Sequence, residues 1–369
     1  MAPDDWEDWL RLLATEGVGP ATARRLLAAF GPPGAVLAQS PAALAEVVGP
    51  SLAQRLRATP PDWARLRAQT AAWLQQPGHH LIALGEAAYP SALLSSPDPP
   101  PLLHVAGEPA ALTAPRALAI VGSRHPTPQG QANARAFAQA LAARGVVIVS
   151  GLAAGIDGAA HEGALSAGGV TVAVVGTGLD RVYPARHRPL AERITAQGGA
   201  LLSEYPLGTP PLAAHFPRRN RIIAGLTQGT LVVEAALGSG SLITAEQAVQ
   251  MGREVFAIPG SIHAPQARGC HALIRQGAKL VETVEHIEEE LRPQWGDGTA
   301  TPAGAAQATP ELPDDAVLRA LGYDPTPFDE LQARCGWDTA TLQAHLLTLE
   351  LDGVVARLPG GLLQRVVRA

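Results

Sequence analysis

The spacing of hydrophobic positions changes character along the chain, and each change predicts a different kind of element. In residues 5–75, Trp6, Trp9, Leu10 and Leu13, then Leu26 and Leu27, recur at helical spacing, so this region should be helical. Residues 76–116 lose that period. Pro77, Pro90, Pro97, Pro99, Pro100 and Pro101 predict an extended connector with short strands at Leu81–Leu84 and Leu102–Val105. Residues 117–282 then alternate strand and helix signals. The expected strands are Ala117–Val121, Val146–Val149, Val170–Val175, Ala200–Leu202, Leu231–Val233, Val255–Ile258 and Lys279–Val281. Most are apolar on both faces, as buried parallel strands are. Helix-like segments between them predict a doubly wound α/β sheet. Right-handed crossovers would bring every strand's C-terminal end to one edge, where ligands bind.

That edge collects polar chemistry. The strand ends carry Gly122-Ser123-Arg124, Ser150-Gly151-Leu152, Gly176-Thr177-Gly178, Ser203-Glu204, Glu234 and Gly260. Before the fifth of these strands stands Phe216–Leu226, reading FPRRNRIIAGL, with Arg218, Arg219 and Arg221 around Asn220. Gly238-Ser239-Gly240-Ser241 follows and opens a helix-like pattern. A Gly/Ser loop feeding a helix presents free backbone N–H groups and the positive end of the helix dipole, which favours anions. Arginines nearby point to phosphate, and Phe216 could stack a base. No G-x-G-x-x-G opens the first helix of the sheet and no Walker A motif occurs, so neither dinucleotide nor ATPase chemistry is supported.

Composition narrows this. The net charge is −5, so a basic site must be local. One lysine, Lys279, stands against 27 arginines, which with abundant Ala, Gly and Pro reads as genomic base composition. Cys270 and Cys335 form neither a disulfide framework nor a metal spacing, and a reducing, cytoplasmic setting fits them. No run of 18 uninterrupted apolar residues and no signal-peptide pattern is seen, so no membrane span is expected.

Several segments together resemble the DNA-processing protein A (DprA/Smf) family. They are Ile120-Val121-Gly122-Ser123-Arg124, Ser150–Asp157 with His161, Gly178-Leu179-Asp180 with Tyr183-Pro184, Phe216–Leu226, Ser239–Ala245 and Ile258-Pro259-Gly260. The resemblance spans roughly residues 85–285 in order. It implies an extended Rossmann domain that binds single-stranded DNA without a catalytic step, protects it and loads the RecA recombinase during natural transformation, as a homodimer. It places Arg124, Phe216, Arg218, Asn220 and Arg221 in a DNA pocket, with the loops holding Gly122, Ser123, Gly240 and Ser241. Arg219 belongs to the same cluster. Two positions depart from the pattern. His187 stands where Asn is frequent, and Ala213 or its neighbours where a lysine is frequent; the second departure removes a phosphate contact, leaving either a lower affinity or a contact supplied by another arginine, such as Arg186 or Arg188.

Other features carry open alternatives. Glu16–Ala23, reading EGVGPATA, resembles the hairpin of a helix-hairpin-helix motif, with a weaker copy at Val47–Ala53. Either direct DNA contact or packing of a helical bundle would account for it. Asp157 and His161, at i and i+4 on one helix face, offer either an acid–base pair or, as the resemblance implies, a structural pair holding the rim, and Glu204 and Glu234 are expected to position arginines. Cys270–Val281 is a candidate dimer edge through His271, Leu273, Ile274 and Leu280. Beyond a linker at 293–312, helix signals at Asp314–Leu321, Pro327–Cys335 (Thr326 as N-cap) and Asp338–Leu351, then a hairpin, resemble a winged-helix domain.

The fold expected is therefore an extended Rossmann-like doubly wound α/β sheet. A helical helix-hairpin-helix/SAM-like domain (residues 1–75) precedes the Rossmann domain (76–292), and a winged-helix-like domain (313–369) follows. No cofactor, metal or catalytic residue is expected. The alternative is a nucleotide-processing enzyme, because the same Rossmann type resembles nucleoside-monophosphate phosphoribohydrolases. Of their P-G-G-x-G-T-x-x-E signature, Gln228–Glu234 keeps only the tail.

Overall fold

Six helices fill the N-terminal region, Asp5–Ala14, Pro20–Phe30, Pro33–Ala38, Pro41–Val48, Pro50–Arg57 and Trp63–Leu74. Four begin on proline, whose missing N–H is no loss in a first turn. The computed structural model describes residues 5–296 and 315–366. Most of the expected linker, and residues 313–314 and 367–369, lie outside that range.

A nine-stranded sheet follows: β1 His79–Ala83, β2 Leu102–Gly107, β3 Ala117–Val121, β4 Val147–Ser150, β5 Thr171–Val174, β6 Ala200–Ser203, β7 Gly229–Val232, β8 Glu254–Ala257 and β9 Lys279–Leu280. The spatial order is β1-β2-β6-β5-β4-β3-β7-β8-β9. β3 to β9 run parallel, and β1 and β2 pair antiparallel at one edge. Alternate side chains feed two cores. Ala119, Val121, Val149, Val174 and Leu202 meet Ile222 and Ile223 on one face. Leu118, Ile120, Ile148, Leu231 and Phe256 meet Ala134, Ala138, Leu141 and Ile156 on the other. Burying each large aliphatic or aromatic chain stabilises the fold by about 1.5–3 kcal/mol.

β7 starts two residues earlier than its apolar run predicts. Gly229 and Thr230 pair with Leu118 and Ala119 on one side and Glu254 and Val255 on the other. A Cβ at position 229 would stand 2.8 Å from the Phe256 ring, so glycine is required by packing rather than by a turn.

Trp9, Trp73, Leu81, Leu102 and Leu207 form a shared cluster that joins the helical region to the sheet. Arg24 reinforces it, pairing with Asp98 at 2.6 Å and donating to the Pro99 carbonyl. The first hairpin turns at Gly17 (φ +91°). Its Val18, Gly19 and Pro20 face a crevice lined by Leu102, Glu204, Tyr205 and Arg218. Of the two readings of this hairpin, its placement favours packing against the sheet.

The C-terminal region has its own core of Leu318, Leu321, Leu331, Leu342, Leu346 and Leu363. Helices Ala316–Leu321, Phe328–Cys335 and Thr339–Leu351 pack on a small sheet of β10 Thr326–Pro327, β11 Val355–Arg357 and β12 Leu362–Arg365. The second helix starts one residue late. Thr326 pairs with Leu363 and is buried, so Pro327 becomes the N-cap. Asp338 caps the third helix as expected, accepting the Thr341 N–H at 3.0 Å.

Candidate functional site

Strand order reverses at the β3/β7 boundary. From β3, the chain steps outward through β4, β5 and β6, then returns to the opposite side of β3 for β7. The two loops leaving β3 and β7 diverge there, opening a crevice at the carboxyl ends. A cleft of about 880 Å³ occupies this place. Gly122, Ser123 and Arg124 line one wall, Gly238, Ser239, Gly240 and Ser241 another, and Phe216, Arg219 and Asn220 of the helix His215–Gly225 the third. Tyr183, Ala153 and Asp157 complete it.

Arg124 is exposed, and its guanidinium carbon lies 5.3 Å from the Phe216 ring centroid. The contact is a cation–π arrangement that parks a positive charge beside an aromatic face. The loop bearing Arg124 is pinned from below. Ser123 donates its N–H to the Glu234 carbonyl at 2.7 Å and accepts at its own carbonyl from Ile156. Gly155 adopts φ +83°, and a Cβ there would come within 2.3 Å of the Ser123 oxygen. On the opposite wall, Asn220 donates to the Gly240 carbonyl at 3.2 Å, tying the helix to the Gly/Ser loop. Ser239 caps the helix Gly240–Gln250 by accepting the Ser241 N–H.

The expected arginine cluster is split by the helix that carries it. Successive residues of a helix point about 100° apart. Phe216, Arg219 and Asn220 line the cleft, whereas Arg218 lines the separate crevice below the first hairpin. Arg221 is buried, pairing with Glu204 and with Asp98 at 3.5 Å, and it does not line the cleft. Arg219 touches the cleft but is 3% exposed, and its Nη1 is consumed by the Gly151 and Val174 carbonyls. Burial pushes its guanidinium down to about 10, and Asp157 opposes that fall. The expected placement of Arg218 and Arg221 in the cleft is thus corrected. Arg124 is the exposed guanidinium among its lining residues.

The carboxylates also sort differently from expectation. Asp157 and His161 do not pair. Asp157 accepts the Gly151 and Ala153 N–H groups at 3.1 and 3.3 Å, while His161 bonds the Thr171 hydroxyl at 2.7 Å inside the core. Burial raises the Asp157 carboxyl and Arg219 pulls it back. Burial drives the His161 imidazole down to about 3. Glu204 does position an arginine. Glu234 instead accepts the Thr127 N–H at 2.9 Å and the Thr127 hydroxyl at 2.5 Å, holding the cap of the helix Pro128–Ala143. Burial is the main cause of its raised carboxyl.

At the candidate dimer edge, Leu273 is buried in the protein's own core at 7% exposure and is withdrawn from it. Ile274 packs partly on the same core, and His271 bonds the Gly260 backbone. Leu280, on the outermost strand β9, is 46% exposed. No group of His, Cys, Asp and Glu fit to hold a metal ion occurs among the described residues, and no described helix is long and apolar enough to cross a membrane.

The crevice lies on an extended Rossmann-like sheet, with a helical unit before it in the chain and a winged-helix unit after it. Residues 80–292 match the family model of DNA recombination-mediator protein A, and the chain belongs to that family. Residues 301–361 match the DprA winged helix domain and residues 10–59 a SAM-like helix-hairpin-helix tandem. Protein Smf of Escherichia coli is 48% identical over 295 residues, 78% of each chain. DNA processing protein DprA of Streptococcus pneumoniae is 49% identical over 203 residues, 55% of this chain and 71% of that protein. Among solved structures, DNA processing protein A from Streptococcus pneumoniae superposes with a TM-score of 0.67 at 38% identity, covering 77% of this chain and 97% of that one. The Helicobacter pylori protein, whose structure was described for its single-stranded DNA binding mode, gives 0.53 at 30% identity over 59% of this chain and 98% of that one.

Proposed function

We propose that the cleft at the β3/β7 boundary binds single-stranded DNA, and that the protein protects the strand and hands it to the RecA recombinase during natural transformation or recombination. It acts in the cytoplasm as a homodimer and catalyses no reaction. The observation that carries this is Arg124 lying over Phe216 between two loops rich in backbone N–H groups. An unpaired base can stack on the ring while its phosphate meets the guanidinium and the loop amides. A duplex keeps its bases stacked on each other and cannot use the ring. The binding mode described for the Helicobacter pylori relative supports the same reading. The RecA step follows from the family resemblance, and co-purification with RecA on coated strands tests it.

Arg124→Ala should weaken binding of an unlabelled-sequence oligonucleotide by about ten-fold or more, the worth of one charge-assisted bond. Duplex of equal length should bind far more weakly than the single strand. With one exposed arginine in the cleft, log K against log salt should slope by nearer −0.7 than −2, at about −0.7 per phosphate neutralised. Wild-type affinity in a folded Arg124→Ala protein would sink the site. The homodimer is proposed to form at the β9 edge, where Leu280 is exposed and the strand's outer backbone is unpaired within the sheet. Leu280→Asp should halve the mass seen by light scattering; an unchanged mass would move the interface elsewhere.

A further inference from the structure

We infer that Tyr183 is a second base-stacking platform in the cleft, so that one protomer holds two unpaired bases of a strand, one on Phe216 and one on Tyr183. This rests on the single-strand reading above and adds to it a residue and a minimum of two stacked bases. Tyr183 lines the cleft and is 48% exposed. Its exposure is built in. Leu179 and Val182, on the same loop, pack into the core around Leu190 and Ile194. Asp180 accepts the Gly208 N–H at 2.7 Å, and Thr177 donates its hydroxyl to the Arg181 carbonyl at 3.3 Å. These contacts anchor the loop before the solvent-facing tyrosine, and after it the His187 ring bonds the Leu152 carbonyl at 2.9 Å. The Tyr183 hydroxyl has no hydrogen-bond partner among the described residues, so its ring is not held there by its polar end.

The geometry separates the two platforms. The Tyr183 and Phe216 centroids are 5.8 Å apart with the planes tilted 39°. A base needs about 3.5 Å of contact distance on each face, so these rings cannot clamp one base between them. Each must offer its own face. Arg124 already covers part of the Phe216 ring, which leaves Tyr183 as the less obstructed surface. At about 880 Å³, the cleft lies near the upper end of the size of sites that hold a whole drug-sized ligand, so it has space for more than one base.

The test is fluorescence anisotropy of the full-length protein with oligo-dT and with an abasic deoxyribose-phosphate strand of the same length. Tyr183→Ala should weaken oligo-dT binding by about five-fold to a hundred-fold, the worth of one stacked base, and leave abasic binding unchanged. Tyr183→Phe should bind oligo-dT as wild type does. Equal loss on both strands would assign Tyr183 a merely structural role, and no loss on oligo-dT would also overturn the inference. If Phe216→Ala weakens oligo-dT binding while Tyr183→Ala does not, the single-strand reading stands and this one falls. If wild type binds neither strand, both fall.

Discussion

His104 shows how a single buried polar side chain can matter without touching the site. It sits on β2 at 2% exposure, tilted against Trp73 at 6.1 Å, and neither ring nitrogen makes a well-formed hydrogen bond. Burial pushes its imidazole down to about 4, and the Ser203 backbone across the ladder offsets only part of that. The native protein thus holds this ring neutral where the unfolded chain, with an ordinary histidine near 6.5, takes up a proton. Below that value the unfolded state binds more protons, so stability falls as pH drops from about 6.5 toward 4. His104→Leu removes two polar atoms that the core leaves unmatched, and such exchanges are close to neutral or stabilising. Urea titrations at pH 7 should therefore give equal or greater stability for the variant. Between pH 6.5 and 4 it should lose less than wild type does. An identical acid slope in the two proteins would show that His104 is already protonated or solvated. Nothing in the sequence marks this residue, because the alternation around Leu103 and Val105 says only that position 104 faces the other side of the sheet.

The helix His215–Gly225 explains both what sequence reasoning could see and what it could not. Its apolar half, the run Ile222–Leu226, is legible as core because consecutive apolar residues have few other homes, and Ile222 to Leu226 are buried. Its arginines were legible as a cluster, but sequence spacing alone does not say which face meets the cleft. That is decided by Asn220 reaching the Gly/Ser loop and Phe216 meeting Arg124, which turns Arg221 toward Glu204 and Asp98. Asp98 also pairs with Arg24, so one chain of charges links this helix to the N-terminal helical region. Arg221 and Glu204 are both nearly enclosed, at 9% and 7% side-chain exposure. Removing one partner of such a pair leaves a stranded charge and costs about 3–5 kcal/mol, whereas replacing both with apolar residues costs far less. Arg221→Ala should lower the thermal midpoint sharply, and Arg221→Met with Glu204→Leu should recover much of the loss. A double variant no better than Arg221→Ala would mean that the charge chain, and not its desolvation, holds the element in place. Because Arg221 lies outside the cleft, its variant should keep near wild-type strand affinity wherever it remains folded.

Across the whole molecule, a net charge of −5 confines attraction for nucleic acid to places where the fold concentrates donors, and we expect the C-terminal winged helix not to be one of them. Its architecture was legible from three helix signals and a hairpin, and the family match agrees. Fold alone does not establish that it reads DNA. A winged helix that does so presents Arg, Lys, Asn or Gln from its recognition helix to the major groove. Here the corresponding helix, Thr339–Leu351, contains Gln343 and His345 but no Arg or Lys. His345 bonds Asp315 at 2.6 Å, and Leu347 and Leu351 stand 55% and 80% exposed. The arginines elsewhere in the unit are mostly engaged. Arg334 pairs with Glu330 and Arg357 with Glu350, both within about 2.6 Å. Arg365, on the wing, is 8% exposed, lies over the Tyr323 ring and reaches the Leu318 carbonyl. Residues 311–369 hold five basic side chains against nine acidic. Phosphates would meet a repulsive field and a leucine-bearing helix face, a surface suited to another protein. Deleting residues 300–369 should leave single-strand affinity within about two-fold of wild type, since a lost phosphate contact would cost roughly ten-fold. In the full-length protein, Leu347→Glu with Leu351→Glu should likewise leave duplex binding unchanged at every salt concentration. A salt-sensitive loss of duplex binding on deleting this unit would show that it grips DNA despite its charge.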